Sequence, residues 1–228
     1  MSAVTTSYPP ARSFQPRRRS LSPMRAQRYR QLLEQWAVSL EGEMLRFDEL
    51  FAKVGASPVD VVLDIGFGGG EGVIELAAAR PHEAIIGIDV HTPGVANVVE
   101  SIEANGWQHV RVVEGDVLEL LPRIPGGSLA GVRLYFPDPW PKQKQRHRRL
   151  ARPDVVAQLV DRLRIGGTLH IATDIADYAA QTLAVCGAEQ RLRGGVVARP
   201  EWRPVTRFEL RGLAAGRVPT DLIYERVG

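Results

Sequence analysis

The chain has 228 residues, 44% of them hydrophobic, which suffices for one substantial core and points to a single domain plus a tail. Its formal net charge of +3 is unevenly spread: residues 1–30 carry seven arginines (12, 17, 18, 19, 25, 28, 30) and no acid, which leaves −4 on the rest. The lone cysteine, Cys186, excludes an intramolecular disulfide and a cysteine metal cluster, and no apolar run reaches the ~20 residues a bilayer span needs.

The N-terminus has no apolar stretch behind its charges, so it does not read as a secretory signal, and the cytoplasm is the default location. The five histidines (82, 91, 109, 147, 170) show no ligand spacing, so no metal is expected. Residues 1–21, rich in Ser, Pro and Arg, read as a disordered basic arm, either solvated or ordering on a phosphate backbone; residues 22–228 form the domain. Ser22-Pro23 is an N-cap followed by proline at the first helical position, and a helix to about Leu40 places Leu32, Leu33, Trp36 and Leu40 on one face. A short helix around Phe47 to Lys53 closes at Gly55. From Val59 strands and helices alternate. The predicted strands are Val59–Ile65, Ala84–Ile88, Val110–Val113, Leu129–Tyr135 and, after the Gly166-Gly167 turn, Thr168–Thr173. The predicted helices are Glu71–Ala79, Pro93–Asn105, Leu118–Leu121, Pro153–Leu163 and one capped by Asp174 that runs through Cys186. The end is β-like, Gly195–Ala198 then Asp221–Arg226. This alternation implies an α/β fold around a mostly parallel sheet with right-handed crossovers.

Two stretches carry the chemistry. Gly66-Phe67-Gly68-Gly69-Gly70 lets a ligand approach the backbone at a helix N-terminus. A dinucleotide fingerprint would need Gly or Ala at 71, where Glu71 stands; G-x-G-x-G preceded by Asp64 suits a cationic, amino-acid-bearing cofactor. Asp64 can face its ammonium, Asp89 two ribose hydroxyls, and Asp116 the adenine edge with Val117 packed on the ring. Each acid alone also fits a helix N-cap. The second stretch is Phe136-Pro137-Asp138-Pro139-Trp140-Pro141-Lys142, whose prolines forbid both helix and ladder pairing. It presents Asp138, Trp140 and Lys142 at a strand end, where α/β proteins bind ligands. Trp140 either stacks on a base or packs in the core. A basic run follows, so that residues 141–152 hold six Lys or Arg and no acid, the mark of a polyanion contact.

The glycine turn and Gly87-Ile88-Asp89-Val90-His91-Thr92-Pro93-Gly94-Val95 resemble the Rossmann-like class I S-adenosylmethionine-dependent methyltransferases. The proline-tryptophan loop, Thr206-Arg207-Phe208-Glu209, and Asp221-Leu222-Ile223-Tyr224-Glu225-Arg226 narrow the resemblance to bacterial tRNA (guanine-N7-)-methyltransferases, over about residues 12–226. That resemblance implies a seven-stranded, mostly parallel sheet with helices on both faces, S-adenosylmethionine as cofactor and tRNA as partner, with guanosine 46 of the variable loop as the target. It implies cofactor binding by Asp64, Gly66, Gly68, Gly70, Asp89, Asp116, Val117 and Asp138, with Asp138 also catalytic. It implies substrate contacts at Lys142, Asp174, Thr206, Arg207, Phe208 and Glu209, and RNA contacts at Lys144, Gln145, Arg146, His147, Arg148 and Arg149. Asp64 stands where the family more often has Glu, Gln145 where it often has His, and His147 where it has Lys.

Guanine N7 bears an in-plane lone pair and no proton, so positioning rather than a base is expected to drive transfer. Asp174 and Glu209 are expected to accept the N1–H and N2 amine, and Lys142 or Thr206 to meet O6, which rejects adenine. No obligatory protein partner is expected, and the chain is read as a monomer or homodimer. The rival readings are a methyltransferase for another substrate and a non-catalytic RNA-binding subunit.

Overall fold

The computed structural model describes residues 20–54 and 60–228. The expected arm lies outside them except for Ser20 and Leu21, as does Gly55. The chain runs α1 (Pro23–Trp36), α2 (Phe47–Leu50), β1 (Asp60–Ile65), α3 (Glu71–Ala79), β2 (Glu83–Asp89), α4 (Thr92–Asn105), β3 (Val110–Glu114) and α5 (Val117–Leu120). It continues β4 (Leu129–Tyr135), α6 (Pro153–Arg162), β5 (Leu163–Thr173), α7 (Ala176–Ala188), β6 (Leu192–Val197), α8 (Arg207–Ala214) and β7 (Thr220–Arg226). Short 3-10 turns at Leu121–Arg123 and Gln143–Arg148 complete it.

The seven strands form one sheet in the order β3-β2-β1-β4-β5-β7-β6. β1 to β5 pair in parallel, β7 runs antiparallel to β5, and β6 antiparallel to β7. The central strands read as continuous apolar runs because helices cover both faces. On one face Leu63, Val132, Leu134, Leu169 and Ile171 pack with Val155, Val156 and Leu159 of α6 and Tyr178 of α7. On the other, Ile85, Val110 and Val112 pack with Tyr29, Leu32 and Trp36 of α1, Leu76 of α3 and Val98 and Ile102 of α4. Each such buried side chain contributes about 1.5–3 kcal/mol of transfer free energy. All the strand C-termini of β1 to β4 therefore open on one edge, where the connecting loops gather.

The departures from expectation have local causes. The first helix stops at Trp36 rather than near Leu40, because Ala37 bridges to Val112 and the Val38 N–H donates to the Val112 carbonyl at 2.8 Å, closing the exposed edge of β3. β5 begins at Leu163, ahead of the expected Thr168: Leu129 pairs with Leu163 and Gly131 with Thr168, so the Gly166-Gly167 turn is absorbed as a bulge within the strand. Asp174 does not cap α7; Ile175 occupies that place and its N–H donates to Thr173 Oγ1 at 3.2 Å. The helix α8 was not foreseen. Its signal is the T-x-x-E spacing of Thr206 and Glu209, where Thr206 Oγ1 accepts the Glu209 N–H at 3.1 Å.

Candidate active site

The strand-end edge holds two adjoining hollows. The first, of about 830 Å³ including its open mouth, takes Asp89 from the end of β2, Asp116 and Val117 from the turn after β3, and Phe136, Pro137 and Asp138 from the loop after β4. Ile65, Gly66, Gly68, His91, Leu134, Leu150 and Phe208 are also in its wall. The second, of about 870 Å³, holds Asp64, Glu71, Tyr135, Thr206, Arg207 and Arg211. The two share Gly66, Gly68, His91 and Phe208. Asp64 thus lies on the far side of the glycine turn from the other three acids, in the neighbouring half of one cleft.

The glycine turn is built for close approach. Gly66, Gly68 and Gly70 all take positive φ, which a side chain would strain. A Cβ at Gly94, at the start of α4, would fall on the Gly68 carbonyl oxygen, so a glycine outside the motif fixes the turn as firmly as those within it. Asp89 ties the turn to β2: its Oδ2 accepts the Gly68 N–H at 2.6 Å and its Oδ1 the His91 N–H at 2.7 Å. Burial raises the Asp89 pKa, against the opposing pull of those backbone donors. Each oxygen keeps a lone pair that can accept a hydroxyl. Asp116 caps α5, its Oδ1 accepting the Leu118 N–H at 3.1 Å, so it is both cap and wall. Asp64 is 5% exposed, and burial pushes its carboxyl up to about 6, with Arg133 opposing and Glu83 and Asp89 reinforcing. A carboxylate held that far up in a glycine-lined hollow is suited to a cationic group.

Phe136 and Trp140 both take left-handed φ, at 52° and 40°, uncommon for aromatics and costly unless the surroundings enforce them. The enforcement is visible. The Phe136 N–H donates to the Ala172 carbonyl at 2.7 Å, and Trp140 is 3% exposed beneath the Arg148 guanidinium, 4.9 Å from the ring centre. Trp140 is therefore a packing residue, and the base-stacking alternative falls.

The basic run divides. Arg149 is buried: its Nε donates to the Pro139 carbonyl at 2.9 Å, its Nη1 to Gln181 at 2.7 Å and its Nη2 to Asp177 at 2.6 Å, and it lies over Tyr178. The expectation that Arg149 contacts RNA is corrected: it braces the proline loop from below. Arg146 reaches the same Asp177 at 3.0 Å, as the three-residue period of the 3-10 turn dictates. Lys142, Lys144 and His147 are exposed, and Gln145 and Arg148 half-buried.

The expected base-reading acids are both paired with arginines, and neither lines a hollow. Glu209 is 2% exposed and lines neither hollow; Arg203 Nη1 and Nη2 hold its two oxygens at 2.8 Å each, and Arg199 Nε adds a third contact at 2.9 Å. A carboxylate at that position of α8 points at the sheet and must be paired there. Asp174 meets Arg217 Nε at 2.7 Å and packs against Gly212. Thr206, Arg207 and Phe208 do line the cleft; Arg207 pairs with Glu71 at 2.8 Å, and the Phe208 ring lies where a Cβ on Gly68 would touch it at 3.4 Å. Sequence reasoning did not assign His91, Tyr135, Phe136, Leu150 or Arg211 to the site, though Tyr135 and Phe136 lead into Asp138 of the proline loop and His91 stands two residues beyond a strand-end acid; Leu150 and Arg211 carried no signal.

Comparisons with known proteins show the family and the fold. A family model described as "Putative methyltransferase" matches residues 59–222. A tRNA (guanine-N(7)-)-methyltransferase of Streptomyces avermitilis is 41% identical over 95% of this chain and 75% of its own length. One of Nitrosomonas eutropha is 37% identical over 97% of this chain and 99% of its own. Among solved structures, 16S rRNA methyltransferase KamB superposes with a TM-score of 0.58 over 85% of this chain and 99% of its own, at 16% identity, a likeness of fold alone.

Proposed function

The chain belongs to the tRNA (guanine-N7-)-methyltransferase family and methylates N7 of a guanine in tRNA; on that premise we propose that the target is guanosine 46 of the variable loop and that the methyl donor is S-adenosylmethionine. The donor set fits that cofactor. Asp89 suits the ribose hydroxyls and Asp116 the adenine amine, while Val117, Leu134 and Phe136 supply apolar faces for the ring. Across the glycine turn, Asp64 suits the ammonium and Arg211 the carboxylate. When bound, the cofactor supplies a sulfonium methyl that guanine N7 can attack with its in-plane lone pair.

N7 carries no proton to remove, so the protein acts by positioning: reacting atoms about 3 Å apart and aligned, with water excluded. Asp138 is the residue between the two ligands, and it orients the base by accepting from its N1–H and N2 amine. Glu209 and Asp174 are paired with arginines and line neither hollow, whereas Asp138 lines the strand-end hollow. Thr206 Oγ1 accepts a backbone N–H and keeps its own O–H to donate to O6. Adenine lacks the two donors and would leave Asp138 without them, which selects guanine. Lys142, Lys144 and His147 meet the RNA backbone beside the cleft. No helix among the described residues is long and apolar enough to cross a membrane, in keeping with work on tRNA in the cytoplasm. The enzyme acts without an obligatory protein partner.

The observation that carries this reading is the gathering of Asp89, Asp116, Asp138 and Phe208 around one strand-end hollow. Incubation with methyl-labelled cofactor and unmodified tRNA, followed by nucleoside mapping, should put the label in 7-methylguanosine at position 46. Label at another nucleoside, or on protein alone, would overturn it.

A further inference from the structure

The cleft has two walls from distant parts of the chain, and one buried side chain joins them. Arg203 is 1% exposed and lines none of the hollows just described. Towards α8, its Nη1 and Nη2 grip both oxygens of Glu209, the residue whose N–H is capped by Thr206. Towards the sheet, its Nε lies 2.8 Å from Asp221 Oδ1, and its Nη2 donates to Asp221 Oδ2 at 3.2 Å. Its plane lies over the rings of Tyr135, at 5.7 Å, and Phe136, at 5.5 Å. Phe136 is the strained residue from which the Asp138 loop departs.

The network closes on itself. Asp221 Oδ1 accepts from His170 Nε2 at 2.7 Å, and His170 Nδ1 then accepts the Tyr135 hydroxyl at 2.9 Å. Burial lowers the His170 pKa and raises that of Tyr135, so both stay neutral. Two arginines, 199 and 203, then balance two carboxylates, Glu209 and Asp221, with every carboxylate engaged. The Arg203 Nε meets Asp221 Oδ1 as an ion pair without an aligned hydrogen bond, while Nη1 and Nη2 are bonded to Glu209 and Asp221; a buried network tied at this many points favours one arrangement. An isolated structural ion pair would need only one partner; Arg203 instead spans β4, β7 and α8, the elements that carry Asp138 and Phe208 to the two sides of the cleft.

We infer that Arg203 is a positioning residue for methyl transfer, holding the Asp138 loop and the Thr206–Phe208 segment at the separation the reaction needs. The inference rests on reading the cleft as the methyl-transfer site. It assigns no contact between Arg203 and either ligand. A displacement of 1 Å in a site of this kind can cost about a hundredfold in rate.

The test uses the full chain with Arg203→Lys, which keeps the charge and loses the planar fork, and with Arg203→Met/Asp221→Asn, which removes one charge of each sign, leaves Glu209 paired with Arg199, and keeps an amide oxygen for His170 Nε2. Both variants should fold. Amide hydrogen exchange should quicken together at residues 136–142 and 204–210, while the α6 and α7 amides stay protected. Turnover on tRNA should fall about a hundredfold in kcat in Arg203→Lys, with KM for tRNA and Kd for S-adenosylmethionine within about threefold of wild type. Unchanged exchange in the two segments would overturn the inference, whatever the activity. So would loosened segments with kcat per folded molecule unchanged, which would make Arg203 merely structural. If wild-type protein transfers no methyl to tRNA yet both segments loosen together in Arg203→Lys, the reading of the cleft fails and the coupling of its walls through Arg203 stands.

Discussion

Asp64, proposed to meet the cofactor's ammonium, links a buried carboxyl's cost in stability to that proposed role. Its pKa is about 6 in the folded protein against an ordinary value near 3.8, because burial outweighs the attraction of Arg133. The folded state therefore holds this proton more tightly than the unfolded chain does. The resulting stabilisation is complete below about pH 4 and is lost as the pH rises through about 6. At neutral pH the free protein carries the cost of a buried charge. Asp64→Asn should accordingly raise the melting temperature at neutral pH by several degrees, since about 1 kcal/mol shifts a domain of this size by ~2–4 °C. The same substitution should weaken S-adenosylmethionine binding about tenfold or more, and wild-type affinity should itself decline as the pH falls below about 6. Calorimetric titration across that range checks both; pH-independent affinity would remove Asp64 from the ammonium site. Asp138 differs, because the proposed function puts it beside the reacting groups. Asp138→Ala should lower kcat about a hundredfold or more while tRNA still binds in a filter assay. Near-normal turnover would take Asp138 out of the mechanism.

At the scale of elements, the parallel core was legible because strands buried on both faces are written as unbroken apolar runs, and the strand-end acids follow from them. Leu129–Tyr135 was read to the residue. Where reading failed, side-chain direction was the missing information. Thr206–Glu209 looked like a ligand motif, yet it is also a helix cap that turns its acid inward to Arg203. The basic run read throughout as a polyanion contact, yet a 3-10 turn brings Arg146 and Arg149 to one acid, Asp177, and buries the second. This division has a measurable consequence. Arg149→Met should destabilise the protein by about 3 kcal/mol, because it strips the partners from Gln181 and from the Pro139 carbonyl beneath the proline loop. It should leave the salt dependence of tRNA binding unaltered. Urea titration and binding isotherms on the same protein separate the two effects, and a shallower salt slope without lost stability would return Arg149 to the RNA surface.

At the scale of the whole molecule, charge is arranged so that only part of it can meet a polyanion. Arg25 is spent on Glu100 and Asn97 within the fold, whereas Arg28 and Arg30 on the same helix are exposed. In the proline loop Lys142 and Lys144 stand out to solvent, while their arginine neighbours are tied to Asp177 or to Trp140. The body beyond residue 30 is acidic overall, so non-specific attraction to RNA is weak there, and under the proposed function the exposed cations beside the cleft are the ones to meet the tRNA. Each phosphate neutralised by such a cation releases condensed counterions and steepens the fall of affinity with salt by about one unit of slope for a duplex and somewhat less for a single strand. Lys142→Ala/Lys144→Ala should therefore flatten the plot of log affinity against log salt by between about 1 and 2 and weaken binding several-fold, while S-adenosylmethionine affinity stays as in wild type. Charge reversal at the same two positions should weaken binding further at low salt and converge on the alanine variant at high salt, where screening removes the repulsion. Binding isotherms over a salt series decide it: an unchanged slope would mean that the loop's cations are a solvated face and that the docking field comes from the N-terminal arginines.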